Sequence, residues 1–142
     1  MSATAGADGD RERGLPAGAA LVVRACAALD LAVTGALAVP PLARALLAWL
    51  APAMDDPGGF AWLFVHVTGV LGVLWAGARL ARPTRALGWA DAAGRAWVGA
   101  LILWAVVAGE APRGFSLFVA TEWGGTLAQA AVLRPRGGPS SS

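Results

Sequence analysis

The chain has 142 residues, 57% of them hydrophobic and 14% charged, with a mean hydropathy of +0.60. Water-soluble domains are about 25% charged, so this chain has too few charges to coat a globular surface, and lipid is the expected solvent. The net charge is only +2 despite a pI of about 10.0, and most arginines flank apolar segments, where membrane topology rather than nucleic-acid binding accounts for them.

All eleven basic residues are Arg, and Asn and Tyr are absent. With abundant Ala and Gly, that bias fits a GC-rich bacterial genome. A single cysteine, Cys26, excludes an internal disulfide and any CxxC motif. His66 and Cys26 fall in different apolar stretches and lack the spacing of a ligand pair, so no metal, haem or other cofactor is expected. No nucleophile elbow or phosphate loop is present.

In chain order, residues 1–16 are small, polar and of mixed charge, and read as a disordered arm. The first apolar stretch covers 17–39 and ends at Pro40-Pro41, which no helix passes undisturbed. An A-x-A cleavage site at Ala36-Leu37-Ala38 makes a signal peptide the rival reading, but Arg24 and Asp30 would lie inside its apolar region. Residues 42–51 are too short to span. Leu42, Leu46 and Leu50 at helical spacing, beside Trp49, predict a short interfacial helix. The second stretch covers 60–80, the third 88–109 and the fourth 114–133. A basic tail closes the chain over 134–142.

Each stretch is roughly 20 residues, enough to cross a hydrocarbon core of about 30 Å at about 1.5 Å per residue. Spanning helices satisfy their own backbone hydrogen bonds, so the expected fold is all-α, a four-helix transmembrane bundle with one interfacial helix. Arg79, Arg82 and Arg85 between the second and third stretches, with Arg11, Arg13, Arg134 and Arg136, outnumber Arg44 and Arg113 on the other side. The positive-inside rule then puts both termini in the cytoplasm of a bacterial inner membrane.

Ionisable residues inside these stretches are the functional candidates, because a charge at mid-membrane costs about 2.5–3.5 kcal/mol on insertion scales. Depth counting places Asp30 at about 13 Å, His66 at about 9 Å and Glu122 at about 12 Å from the outer face. They form an outer layer. Arg24, Asp91, Arg95 and Gln129 form an inner one, in which Asp91 and Arg95 pair at i,i+4. The inner layer is explained by snorkelling and helix-end charges. Thr34 shares a helix face with Asp30, and Thr126 and Gln129 share one with Glu122. Trp97 and Trp123 lie deeper than the interfacial tryptophans and are candidates to border a pocket.

Three readings follow for the outer layer. In the first, Asp30, His66 and Glu122 are catalytic, with Thr34, Trp97, Trp123, Thr126 and Gln129 around the substrate. An acid donates a proton to an isoprenoid-like molecule and His66 removes another, an isomerisation or cyclisation that needs no cofactor. It predicts a cavity where Asp30, His66 and Glu122 converge. In the second, the same residues fix helix register or contact a membrane-protein partner or a second copy, and pair in a void-free core or face outward. In the third they relay protons or solute along a polar path joining both layers.

The motifs LDLAVTG in the first stretch, Pro40-Pro41 after it, VTGVLGVLWAGARL in the second and TEWGG in the fourth give a resemblance over residues 20–133. The chain resembles small bacterial four-helix membrane proteins of the DoxX-like kind. The resemblance implies a single four-span module and carries no site residues with it.

Overall fold

The computed structural model of the protein describes residues 15–52, 55–56 and 58–134. Apart from residues 15, 16 and 134, the arm and tail expected at the two ends lie outside the described residues. The described residues are helical, with α1 at Ala17–Ala38, α2 at Pro40–Leu50, α3 at Gly58–Ala81, α4 at Arg85–Val107 and α5 at Ser116–Leu133. A 3-10 turn, Arg113–Phe115, leads into α5.

The breaks between helices have local causes. Proline disfavours the α conformation in the residue before it, and Val39, before Pro40, is extended at φ −107 and ψ 112. Pro40 and Pro41 then open α2, where their missing N–H groups cost nothing. Thr84 caps α4, its hydroxyl accepting from the Leu87 N–H at 3.2 Å. Gly109 closes α4 at φ +76, a left-handed geometry that glycine adopts without strain.

Three helices, α1, α3 and α4, are long and apolar enough to cross a membrane. α5 has 18 residues and carries Thr121, Glu122, Thr126 and Gln129; it is not among the three.

The helices pack as two pairs, α1 with α3 and α4 with α5, and α1 also meets α5. Glycines permit the closest approaches. A Cβ at Gly69 would strike the backbone of Leu37 and Ala38, and one at Gly72 would strike the Thr34 side chain. At the far end of α1, Val23 and Leu133 close over Gly88, whose own Cβ would lie 2.7 Å from Leu133 Cδ1. Arg85 Nη2 donates to the Leu133 carbonyl, satisfying one of the open acceptors at the end of α5.

Burial is inverted relative to a water-soluble protein. The largest fully buried side chains are Arg79, Leu133, Gln129 and Val23. Phe60, Trp97, Trp104 and Val107 lie outside with many leucines and valines. Soluble proteins rarely expose apolar surface on that scale, and a lipid solvent accounts for it.

Candidate functional site

The polar interior joins the two helix pairs. Arg79 comes from α3, one turn after Trp75, and has no exposed surface. It donates to Asp30 of α1 from Nη2 at 2.5 Å, and its Nη1 pairs with Asp91 of α4. Arg95 of α4 lies one turn beyond Asp91, and its Nε donates to Asp91 Oδ2 at 3.0 Å. From Nη2 it donates to Asp30 and, at 3.1 Å, to the Cys26 carbonyl of α1. From Nη1 it reaches Glu122 Oε2 of α5 at 3.3 Å. Two guanidiniums thus hold three carboxyl groups on three helices.

Neutral donors complete the cluster. Gln129 Nε2 donates to Asp91 Oδ2 at 2.6 Å, and the Trp75 indole donates to Asp91 Oδ1 at 3.1 Å. Gln129 is fully buried, and its Oε1 has no partner among the described residues. The carboxylate beside it decides which end of the amide points inward, because only the NH₂ can donate. Glycine again makes room: a Cβ at Gly125 of α5 would lie 3.0 Å from Arg95 Nη1.

A cleft of about 250 Å³ opens on one side of the cluster. Asp30, Arg95 and Glu122 form its polar end. Leu29 and Val33 of α1, Leu46, Trp49 and Leu50 of α2, and Leu117 and Phe118 of α5 wall it with hydrocarbon. Thr34 and Thr121 also line it, but each hydroxyl is turned to its own helix: Thr34 donates to the Asp30 carbonyl at 2.6 Å and Thr121 to the Phe118 carbonyl at 2.9 Å. A second hollow of about 320 Å³, almost wholly apolar, lies beyond Leu46, Leu50 and Phe118. Helix α2 therefore roofs both spaces.

The sequence candidates separate in the structure. Asp30 and Glu122 meet at Arg95, together with Asp91 and Gln129 from the layer taken as topological. Members of the two expected layers thus meet in one cluster, because long arginine side chains bridge the helices between them.

His66 does not join them. Its Nδ1 lies 2.8 Å from the Leu37 carbonyl, and its ring stacks on Trp62 at 5.8 Å. The cause is the proline pair: the helical partner of that carbonyl would be the N–H of residue 41, which is Pro41 and has none. A carbonyl only accepts, so Nδ1 carries the proton.

Arg24 is exposed on α1, apart from the cluster. Trp97 is 69% exposed on the outer face of α4. Trp123 lies between α4 and α5, its indole 3.4 Å from the Ala96 carbonyl and its ring over Gly99. Thr126 contacts the Ala92 and Glu122 carbonyls at 3.2 and 2.9 Å. None of Trp97, Trp123 and Thr126 lines the cleft.

Arg79 and Trp75 are the members that sequence reasoning missed. Arg79 was counted as loop charge, yet it is the last inward-facing residue of α3. The signal available was its spacing of four from Trp75, which puts both on one helix face.

Comparison with known proteins adds no relative: no family model, curated protein or solved structure matches the chain.

Proposed function

We propose that the protein crosses a bacterial inner membrane four times, with both termini cytoplasmic, and holds a lipophilic, isoprenoid-like molecule in the cleft beside its ionic cluster. There Glu122 carries out intramembrane acid–base chemistry, an isomerisation or cyclisation without a cofactor. The observation behind this reading is the cleft itself, with hydrocarbon walls and a polar end of Asp30, Arg95 and Glu122. Its volume of about 250 Å³ is just under the range of about 300–1,000 Å³ usual for ligand pockets. The neighbouring apolar hollow and the lipid beyond it give a longer tail somewhere to lie.

The three polar residues differ in their freedom to act. Asp30 is held on both oxygens, by Arg79 and by Arg95. Glu122 has one contact to Arg95, at 3.3 Å, and its Oε1 has no partner among the described residues. Glu122 is therefore the group free to shuttle a proton: its acid form gives one to a carbon of a double bond, and the carboxylate so formed takes one from the carbon beside the resulting cation, which moves the double bond with no net change in atoms. Arg79, Asp91, Gln129 and Trp75 hold the arginine and aspartate that position it. For the fourth span, α5 supplies about 27 Å of rise, and the 3-10 turn before it adds to that length. The resemblance to DoxX-like proteins fits the same count.

The test is proton exchange into a bound molecule. Purified protein incubated with a fifteen-carbon isoprenoid alcohol in heavy water is expected to place deuterium on carbon, seen by mass spectrometry. Glu122→Gln should abolish the exchange while leaving the protein folded. Equal label with and without Glu122 removes the catalytic reading.

A second reading has its own support. The ion pairs close a loop, Arg79–Asp30–Arg95–Asp91, that ties α1, α3 and α4. Such a loop suits a non-catalytic subunit that keeps its helices in register beside a membrane partner or a second copy.

A further inference from the structure

The donors and acceptors around the cleft are not balanced, and the imbalance limits what the polar end can hold. Arg95 has five N–H groups. One donates to Asp91, one to Glu122, one to Asp30 and one to the Cys26 carbonyl. The remaining N–H is on Nη1, which lies against α5 at Gly125. The Thr34 and Thr121 hydroxyl hydrogens are already given to backbone carbonyls. What these residues offer to the cleft is lone pairs: those of the two threonine oxygens and of Glu122 Oε1. Trp49 has the remaining indole N–H of the lining, and it is 68% exposed.

Charge points the same way. Asp30, Asp91 and Glu122 face only Arg79 and Arg95 in the cluster. An anionic group entering here would meet carboxyl groups, and the guanidinium that lines the cleft, that of Arg95, has four of its five N–H groups already given. Arginine clusters that capture phosphate or carboxylate do so through unspent, fork-like N–H pairs, and Arg95 has none.

We infer that the cleft selects lipophilic molecules whose polar end donates hydrogen bonds and carries no negative charge, alcohols and amines, and rejects phosphorylated or carboxylated ones. This inference rests on the lipophilic pocket proposed above and narrows its ligand. An alcohol donates to Glu122 while its tail follows Leu29, Val33 and Phe118. An amine adds ion pairing to the carboxylate left in excess.

Three probes with the same fifteen-carbon tail decide the matter: farnesol, farnesylamine and farnesyl phosphate, titrated into purified protein in nanodiscs of a zwitterionic lipid. Binding is read by native mass spectrometry. Farnesol and farnesylamine should each bind at least about tenfold more tightly than the phosphate, since like-charge juxtaposition and unpaired polar groups each cost that much or more. Glu122→Gln replaces an acceptor with a group that also donates. It should lower amine affinity about tenfold and raise that of the phosphate. Thr121→Val, which leaves the ion pairs untouched, should weaken farnesol severalfold and shows the effect without disturbing the fold.

Phosphate binding equal to the alcohol overturns the head-group inference and leaves the pocket standing. Unchanged selectivity in folded Glu122→Gln does the same. Failure of all three probes to bind sinks the pocket and the inference together.

Discussion

Arg79 reaches Asp30 on α1 and Asp91 on α4 from a position with no exposed surface, so removing it leaves two carboxyl groups short of a partner. Breaking a buried ion pair from one side costs about 3–5 kcal/mol. Arg79→Met is therefore expected to melt well below the native protein, and fluorescence-detected size-exclusion after heating measures this. Loss comparable to that of a surface arginine such as Arg24→Met would show that the cluster is not what joins the helix pairs. His66→Ala should behave differently. It strands the Leu37 carbonyl, at a cost of about 1–3 kcal/mol, but the cleft is lined without it. Farnesol affinity in His66→Ala should stay within a factor of about two of native, well under the tenfold that about 1.4 kcal/mol produces.

These residues also mark how far the sequence could be read. That Asp30 and Glu122 sit inside apolar helices was legible, because a charge in such a stretch breaks the pattern. That they meet through Arg95 was not. Helix period sets the face a residue occupies on its own helix, whereas meeting across helices depends on how the helices are rotated against one another. His66 broke the apolar pattern in the same way and turned out to serve a carbonyl orphaned by Pro41. A buried polar side chain looks alike in sequence whether it answers to the backbone or to other side chains.

At the scale of elements, glycine position decides which helices can touch. Gly69 and Gly72 of α3 face α1 so closely that a Cβ has no space, while Gly77 of the same helix has nothing within 4 Å. Gly69→Val should part α1 from α3 and reduce folded yield sharply. Gly77→Ala should be neutral or stabilising by up to about 1 kcal/mol, the propensity gain of alanine over glycine. Thermal melts of the two variants in one detergent compare them. Thr68, Gly72 and Ala76 lie four apart on one face of α3, small residues that suit close packing, and Ala76 is buried. The partner helix of that face was beyond the reach of the sequence.

The start of α3 is expected to respond to pH through Asp56. The Gly58 N–H and the Trp62 indole donate to Asp56 and, with Arg44 nearby, hold its carboxyl below the usual carboxylate range. Asp56 lies in the loop before the helix, outside the spans. A depressed folded value stabilises the cap above the ordinary value of about 3.9, and the cap is lost as pH falls through the lower one. Trp62 emission should report that opening in strong acid and stay unchanged in Asp56→Asn, which cannot titrate.

For the molecule as a whole, the positions of the two chain ends report the number of crossings. Four spans put both ends of the chain on one side, and three put them on opposite sides. Fusions of a reporter that fluoresces only in the cytoplasm should light up at either terminus. A dark C-terminal fusion alone would reduce α5 to a helix that does not cross. Arg79 no longer counts toward this topology, being buried in the cluster, so the bias rests on Arg82 and Arg85 with the terminal arginines.

Composition and hydropathy alone pointed to the helical class and to helices long and apolar enough to cross a membrane, because few charges and long apolar runs admit little else in lipid. Proline and glycine positions determined where helices stop, since both act through the local backbone. Tertiary structure decided the rest: that Arg79 belongs to the interior, that Asp30 and Glu122 share a cluster with Asp91, Arg95 and Gln129, that α2 roofs a cleft and that His66 stands apart from it. These depend on helix rotation and on side chains long enough to cross between helices, and no period along a single chain encodes either.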